Sequence, residues 1–299
     1  MKPSLIVLLL LACVVAQPNP ISPARPAITG VSHVGFYAKS LPQSAEFYSR
    51  LLGLKQAANS EETGGISFYL SGTQRVDLIP QRGTGPASLL DHIAFQTADA
   101  EALRHYLAAH GITVPASVTS YGDGSRLFRT RDFEDHQIEF VQIAKSSKRS
   151  TPGSVSHRVI HAGFVVRDRA AADRFYRDLL GFHLYWHGGR KDDETDWVDM
   201  QVPDGTDWLE YMLNVPPNAP ARQLGVVNHI ALGVADVHAA ADILRQRGWK
   251  ESDKEQPKIG HDGKWQLNLY DPDGTRIEMM EFRPVQKPCC AEYTGQHPN

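Results

Sequence analysis

The chain has 299 residues and a mass of 33.2 kDa, with 41% hydrophobic and 22% charged side chains. That balance fits two globular domains better than one. The 31 basic and 34 acidic residues leave a net charge of −3, which gives no electrostatic grip on nucleic-acid phosphates. Beyond residue 16 no apolar run approaches the ~18 residues that a membrane helix needs, so neither a nucleic-acid binder nor an integral membrane protein is expected.

The chain opens with Lys2, an unbroken apolar run at residues 5–12, and Val14-Val15-Ala16 before Gln17. This pattern reads as a secretory signal peptide over residues 1–16, with export to the periplasm or the medium. Pro18, Pro20, Pro23 and Pro26 forbid a continuing helix. Leu10-Leu11-Ala12-Cys13 also matches a lipobox, so a lipid anchor through Cys13 is the alternative. The other cysteines, Cys289 and Cys290, are adjacent and cannot take ordinary disulfide geometry without strain. No disulfide framework is expected, and residues 285–299 read as a tail.

Four repeats then follow in chain order. His33-Val34-Gly35-Phe36 opens the first, which continues into a helical pattern ending Phe47-Tyr48 and Leu51-Leu52-Gly53 and closes on a strand bearing Asp77. Asp91-His92-Ile93-Ala94 opens the second, whose helix stops near Gly111 and whose last strand carries Glu139. A polar stretch at residues 145–156 separates the halves, 28–144 and 157–284. The third repeat copies the first: His161-Ala162-Gly163-Phe164, then Phe175-Tyr176, Leu179-Leu180-Gly181, and Glu210. The fourth copies the second: Asn228-His229-Ile230-Ala231, Gly248, an Asp271-Pro272-Asp273-Gly274 turn, and Glu278. Ala171, Phe175, Leu179 and Leu180 share one helix face, and Gly181 stops that helix as a C-terminal cap. Each repeat therefore reads as βαβββ. The expected class is α+β, with four βαβββ modules paired into two cup-like domains.

One histidine recurs in the opening strand of every repeat, and one carboxylate in every last strand. Glu210 and Glu278 each follow their histidine by the same interval (161 to 210, 229 to 278). Both sit among apolar neighbours, where a lone carboxylate is costly unless paired or bound to a metal. His161, Glu210, His229 and Glu278 are thus candidate ligands of one divalent ion: Zn, Ni, Co, Mn or Fe(II). His33, Asp77, His92 and Glu139 form a weaker second set, which would bring the count to two ions. In the second set Asp77 is one methylene shorter than Glu, and Asp132-Phe133-Glu134-Asp135 replaces the Asp-Pro-Asp-Gly turn. Trp186, Trp197, Trp208 and Trp265 are candidates to line a ligand-binding cup.

The histidine-opened repeats, the Phe-Tyr and Leu-Leu-Gly helix, and the Asp-Pro-Asp-Gly turn before Glu278 resemble the vicinal oxygen chelate superfamily. That group includes glyoxalase I, extradiol dioxygenases and fosfomycin- and bleomycin-resistance proteins. The resemblance to glyoxalase I implies metal ligands at His161, Glu210, His229 and Glu278, with Glu210 or Glu278 as proton-transfer base. The resemblance to extradiol dioxygenases implies Fe(II) held by His161, His229 and Glu278. His261 resembles their signature histidine, and their strand tyrosine falls near Asn268. Resistance-type relatives imply ligand sequestration without turnover. A small-molecule substrate and a monomer or homodimer complete these expectations.

Overall fold

The computed structural model describes residues 23–57, 64–83, 88–122, 124–144, 152–250, 252 and 255–299. The leader expected over residues 1–16, with Cys13, lies outside the described residues.

The four βαβββ modules are present. The first runs β1 (Ile28–Ala38), α1 (Leu41–Ala45), β2 (Lys55–Gln56), β3 (Ile66–Tyr69) and β4 (Arg75–Pro80). The second runs β5 (Leu90–Thr97), α2 (Ala100–Ala109), β6 (Thr119–Ser120), β7 (Arg126–Arg131) and β8 (Gln137–Gln142). The third runs β9 (Arg158–Val165), α3 (Arg169–Asp173), β10 (His183–Gly188), β11 (Trp197–Gln201) and β12 (Trp208–Met212). A short extra helix, α4 (Ala221–Val227), precedes the fourth: β13 (His229–Val234), α5 (Val237–Gln246), β14 (Lys258–Ile259), β15 (Trp265–Tyr270) and β16 (Arg276–Glu281).

Local chemistry sets the helix ends. Asp99, Asp168 and Asp236 cap α2, α3 and α5, each carboxylate accepting a backbone N–H three residues on. α1 and α3 run on into wider π-helical turns, Glu46–Leu51 and Arg174–Leu179, which carry the two Phe-Tyr pairs. Gly181, at φ +81°, stops the third module's helix as its position in the sequence requires.

Modules pair within each half. One eight-stranded sheet has the order β2-β3-β4-β1-β5-β8-β7-β6, and the other repeats it as β10-β11-β12-β9-β13-β16-β15-β14. The opening strands β9 and β13 meet antiparallel at the centre, flanked by the parallel last strands β12 and β16. This topology places the four residue-bearing strands side by side, in the order carboxylate, histidine, histidine, carboxylate. The helices cover the outer faces, and one apolar cluster runs through both halves, from Phe36, Phe68 and Phe140 to Phe164, Phe175 and Leu267.

Residues 285–299, the tail, are packed rather than extended into solvent. They fold back on the second cup, where Tyr293 packs with Tyr185 and Trp186, and Trp186 donates to the Cys289 carbonyl. Cys289 and Cys290 are joined in a vicinal disulfide, a bond the sequence did not lead us to expect. Trp265 also departs from expectation: it stacks edge-on against His238 of α5, on the helix-covered face, rather than lining the cup.

Candidate metal centre

In the second half the quartet converges. His161 Nε2 and His229 Nε2 lie 3.0 Å apart. Glu278 Oε2 is 3.5 Å from each of them, and Glu210 Oε2 is 3.2 Å from His229 Nε2 and 3.9 Å from His161 Nε2. Two donors at right angles about 2.1 Å from a common ion lie about 3.0 Å apart, and opposite donors about 4.2 Å. The observed separations fall within that range. His161 and His229 are buried, as is Glu278, and Glu210 Oε2 is a buried oxygen with no hydrogen-bond partner among the described residues. Such an oxygen is what a cation would satisfy, so the donors fit a divalent ion.

The electrostatics agree. Burial alone would raise both carboxylates, yet Arg276 and the two imidazoles hold Glu278 well below the usual range. Glu210 is likewise lowered, by His229, His161 and Arg276. Burial lowers His161 and so favours the neutral imidazole, the form that ligates. His229 goes the other way: Glu210 and Glu278 outweigh burial and Arg276 and raise it. The Arg276 guanidinium leans on the His229 ring, with Nη2 2.6 Å from Nε2, and would have to yield that edge to an ion.

Beside the quartet opens a cavity of about 300 Å³, lined by Trp186, Trp197, Trp208, Asp199, His261 and Asn268 among others. His261 therefore stands at the site, next to Trp197. Asn268 lies on the penultimate strand, in register with Glu278.

The first half brings its four residues together as well. His33 Nε2 is 3.2 Å from Glu139 and 3.5 Å from Asp77, and His92 Nε2 is 3.8 Å from Glu139. Here, however, each carboxylate already has a cation. Arg75 Nε donates to both oxygens of Asp77, at 2.8 and 3.0 Å, and Arg129 Nε donates to Glu139 at 2.6 Å. Arg75 also reaches His33 Nε2, at 3.1 Å. Burial and Arg75 together push His33 down to about 4. Against burial, Arg75 and His33 hold Asp77 at about 2. Two guanidinium groups compete with an ion for these carboxylates, while one donor each from His33, Asp77 and His92 lie within 4.8 Å of one another, so this set is the weaker candidate.

A sequence profile of the glyoxalase/bleomycin resistance protein/dioxygenase superfamily matches residues 30–140 and again 158–279. The chain belongs to that superfamily.

Individual relatives within the superfamily span several activities. The probable chloroplastic lactoylglutathione lyase of Arabidopsis thaliana is 24% identical over 160 residues, which are 52% of this chain and 42% of that protein. The chain thus matches less than half the length of that relative. The lactoylglutathione lyase of Haemophilus influenzae is 25% identical over 131 residues, 43% of this chain and 96% of that one. Among solved structures, a variant of homoprotocatechuate 2,3-dioxygenase from Brevibacterium fuscum superposes with a TM-score of 0.66 at 19% identity, over 93% of this chain and 76% of that one. The 2,3-dioxygenase LapB of Pseudomonas sp. KL28 gives 0.65 at 16% identity, over 92% and 96%. At these identities the structural likeness concerns the fold.

Two glycines that make room for the histidine rings were in view in the sequence but unassigned. Gly163 pairs in register with Glu210 on one side and His229 on the other, and a Cβ there would sit 1.9 Å from the His229 ring. Gly35 plays the same part beneath His92. The signal was the glycine two residues after each opening histidine of the first and third repeats. Arg75 and Arg129 were missed too, because nothing local marks an arginine whose partner lies on its own or the next strand.

Proposed function

We propose that this chain is a divalent-metal-dependent enzyme that handles a small substrate through two neighbouring oxygens and moves a proton beside a developing oxyanion. The observation that carries this reading is the inward convergence of His161, Glu210, His229 and Glu278 from four adjacent strands. A divalent ion held there supplies Lewis-acid stabilisation of negative charge on the substrate oxygen. The buried imidazoles of His161 and His229 hold position. Glu210 and Glu278, kept ionised by their cationic neighbours, are the available bases, and we assign proton transfer to one of their Oε atoms. Three tryptophans exclude water from the cavity that takes the substrate. Lactoylglutathione lyases stand among the relatives. We also propose that residues 1–16 export the protein, which removes it from the cytosolic glutathione pool and leaves a different oxygen-bearing substrate.

Ring cleavage with Fe(II) is the second reading. It is favoured by the mutual proximity of one donor each from His161, His229 and Glu278, a two-histidine, one-carboxylate set of the kind found in non-haem Fe(II) oxygenases.

Glu210 separates the two. Solvent deuterium exchange into hydroxyacetone by metal-loaded protein, followed by NMR, is expected to be accelerated and to collapse in Glu210→Gln or Glu278→Gln. Absence of exchange, with oxygen uptake from a catechol by Fe(II)-loaded protein that survives Glu210→Gln, would select ring cleavage. Ligand quenching of tryptophan fluorescence that is indifferent to chelator, with no turnover in either assay, would indicate a binding protein instead.

A further inference from the structure

The two cups differ most sharply at one pair of register positions. Each carboxylate of the quartets faces a residue on the next strand outward. In the first cup Asp77 faces Ser67 and Glu139 faces Arg129. Both neighbours donate to the carboxylate, Ser67 Oγ at 2.6 Å and Arg129 Nε at 2.6 Å, and so close the cup on itself. In the second cup Glu210 faces Asp199 and Glu278 faces Asn268. These side chains turn away from that task. Asp199 is 4% exposed and Asn268 9%, both line the cavity, and Asp199 Oδ1 and Asn268 Oδ1 have no hydrogen-bond partner among the described residues.

Buried oxygens without partners are expensive until a donor arrives. A carboxyl group keeps an accepting oxygen in either protonation state, so Asp199 asks for a donor throughout. One side of the cavity is aromatic, with Trp208 buried to 1% exposure and Trp186 to 2%, and the rest is polar, including Asp262, Gln266 and Arg276. The cavity, about 300 Å³, is roughly twice the ~150 Å³ that holds one benzene ring.

We propose that Asp199 and Asn268 are the specificity residues of this site, and that they select a flat, one-ring-sized, uncharged substrate bearing a hydroxyl or amino hydrogen-bond donor beyond the pair of oxygens that face the ion. The proposal rests on the metal-dependent reading above. A substrate carboxylate at that end would meet Asp199 with Glu210 directly behind it, so anionic substituents are disfavoured. Of the nearby cations, Arg276 is engaged by His229 and Glu210, Lys264 is held against Tyr185, Trp208 and Tyr293, and Lys258 is exposed at the rim.

The test uses three catechol probes that share vicinal oxygens and differ at one ring position: 4-methylcatechol, 4-(hydroxymethyl)catechol and 3,4-dihydroxybenzoate. Binding to the anaerobic, metal-loaded full chain is read by tryptophan quenching. The hydroxymethyl probe is expected to bind about tenfold more tightly than the methyl probe, and the benzoate most weakly. Asp199→Leu with Asn268→Leu should erase the hydroxymethyl preference. Asp199→Asn should shift affinity toward the benzoate, a gain that a misfolded protein cannot produce. Equal binding of all three probes to the wild type, or tightest binding of the benzoate, would overturn the proposal while leaving the metal reading intact. Failure of the metal-loaded protein to bind any probe would overturn this proposal, whereas failure of the protein to take up metal at all would defeat the metal reading and this proposal with it.

Discussion

At the scale of single residues, the site depends on space as much as on donors. His229 can reach the quartet because Gly163 beneath it has no side chain. Gly163→Ala is expected to push the imidazole outward and abolish metal retention while far-ultraviolet circular dichroism stays native. A variant that retains the ion would show that the glycine is dispensable. Arg276 acts in the opposite sense, since its guanidinium competes at His229 Nε2. Removing a charge at such short range is worth more than about 1.4 kcal/mol even at an effective dielectric of about 20. Arg276→Gln should therefore bind the ion at least about tenfold more tightly, as read by competition with a chelating dye. The four proposed ligand positions were legible because two spacings repeat in the sequence. Gly163 and Arg276 were not, because their roles exist only once neighbouring strands are in register.

At the scale of strands, the order carboxylate, histidine, histidine, carboxylate follows from pairing two βαβββ modules through their opening strands. The repeats made this legible from end to end, including the helix stops and the last strands. What they concealed was that identical frameworks hold different chemistry. Arg75 on β4 and Arg129 on β7 neutralise the first cup. Replacing both, Arg75→Gln with Arg129→Ser, should free its carboxylates and raise metal content from one ion per chain to two. His33 gives this cup a pH signature. Its folded value of about 4 lies below its ordinary 6.5, so between pH 6.5 and 4 the unfolded chain takes up a proton that the folded one refuses. Stability is present above that window and is lost as pH falls through it, by up to about 3 kcal/mol. His92, raised by Glu139 against burial, acts in the opposite direction but above pH 6.5. The buried Asp207, Asp262 and Asp271, raised by burial to about 6, 7 and 6, act in the opposite sense over the same window. Urea titrations of the chelator-treated protein between pH 7 and 4.5 should therefore show the His33 contribution as the difference between wild type and His33→Gln, with the variant losing less stability on acidification.

At the scale of the whole molecule, the repeated Phe-Tyr pairs have a use that the sequence did not disclose. Tyr48 of the first module donates to Asp271 in the turn of the fourth, at 3.1 Å. Tyr176 of the third donates to Asp132 in the turn of the second, at 2.9 Å. The halves are thus clasped crosswise at both ends. The Asp132 turn does the work of Asp271-Pro272-Asp273-Gly274 with a different sequence, because Asp135 takes the left-handed conformation that Gly274 takes in the other. With one apolar cluster through both halves, unfolding is expected to be a single transition, and Tyr48→Phe or Tyr176→Phe should each lower stability by about 1–2 kcal/mol. Two separate transitions in calorimetry would show that the clasps are incidental.

The most direct measurement is metal content per chain in purified protein, by mass spectrometry of wild type and His229→Ala. One ion per wild-type chain, lost in the variant, is the predicted result. No ion, or an ion that survives His229→Ala, would contradict a centre built from His161, Glu210, His229 and Glu278.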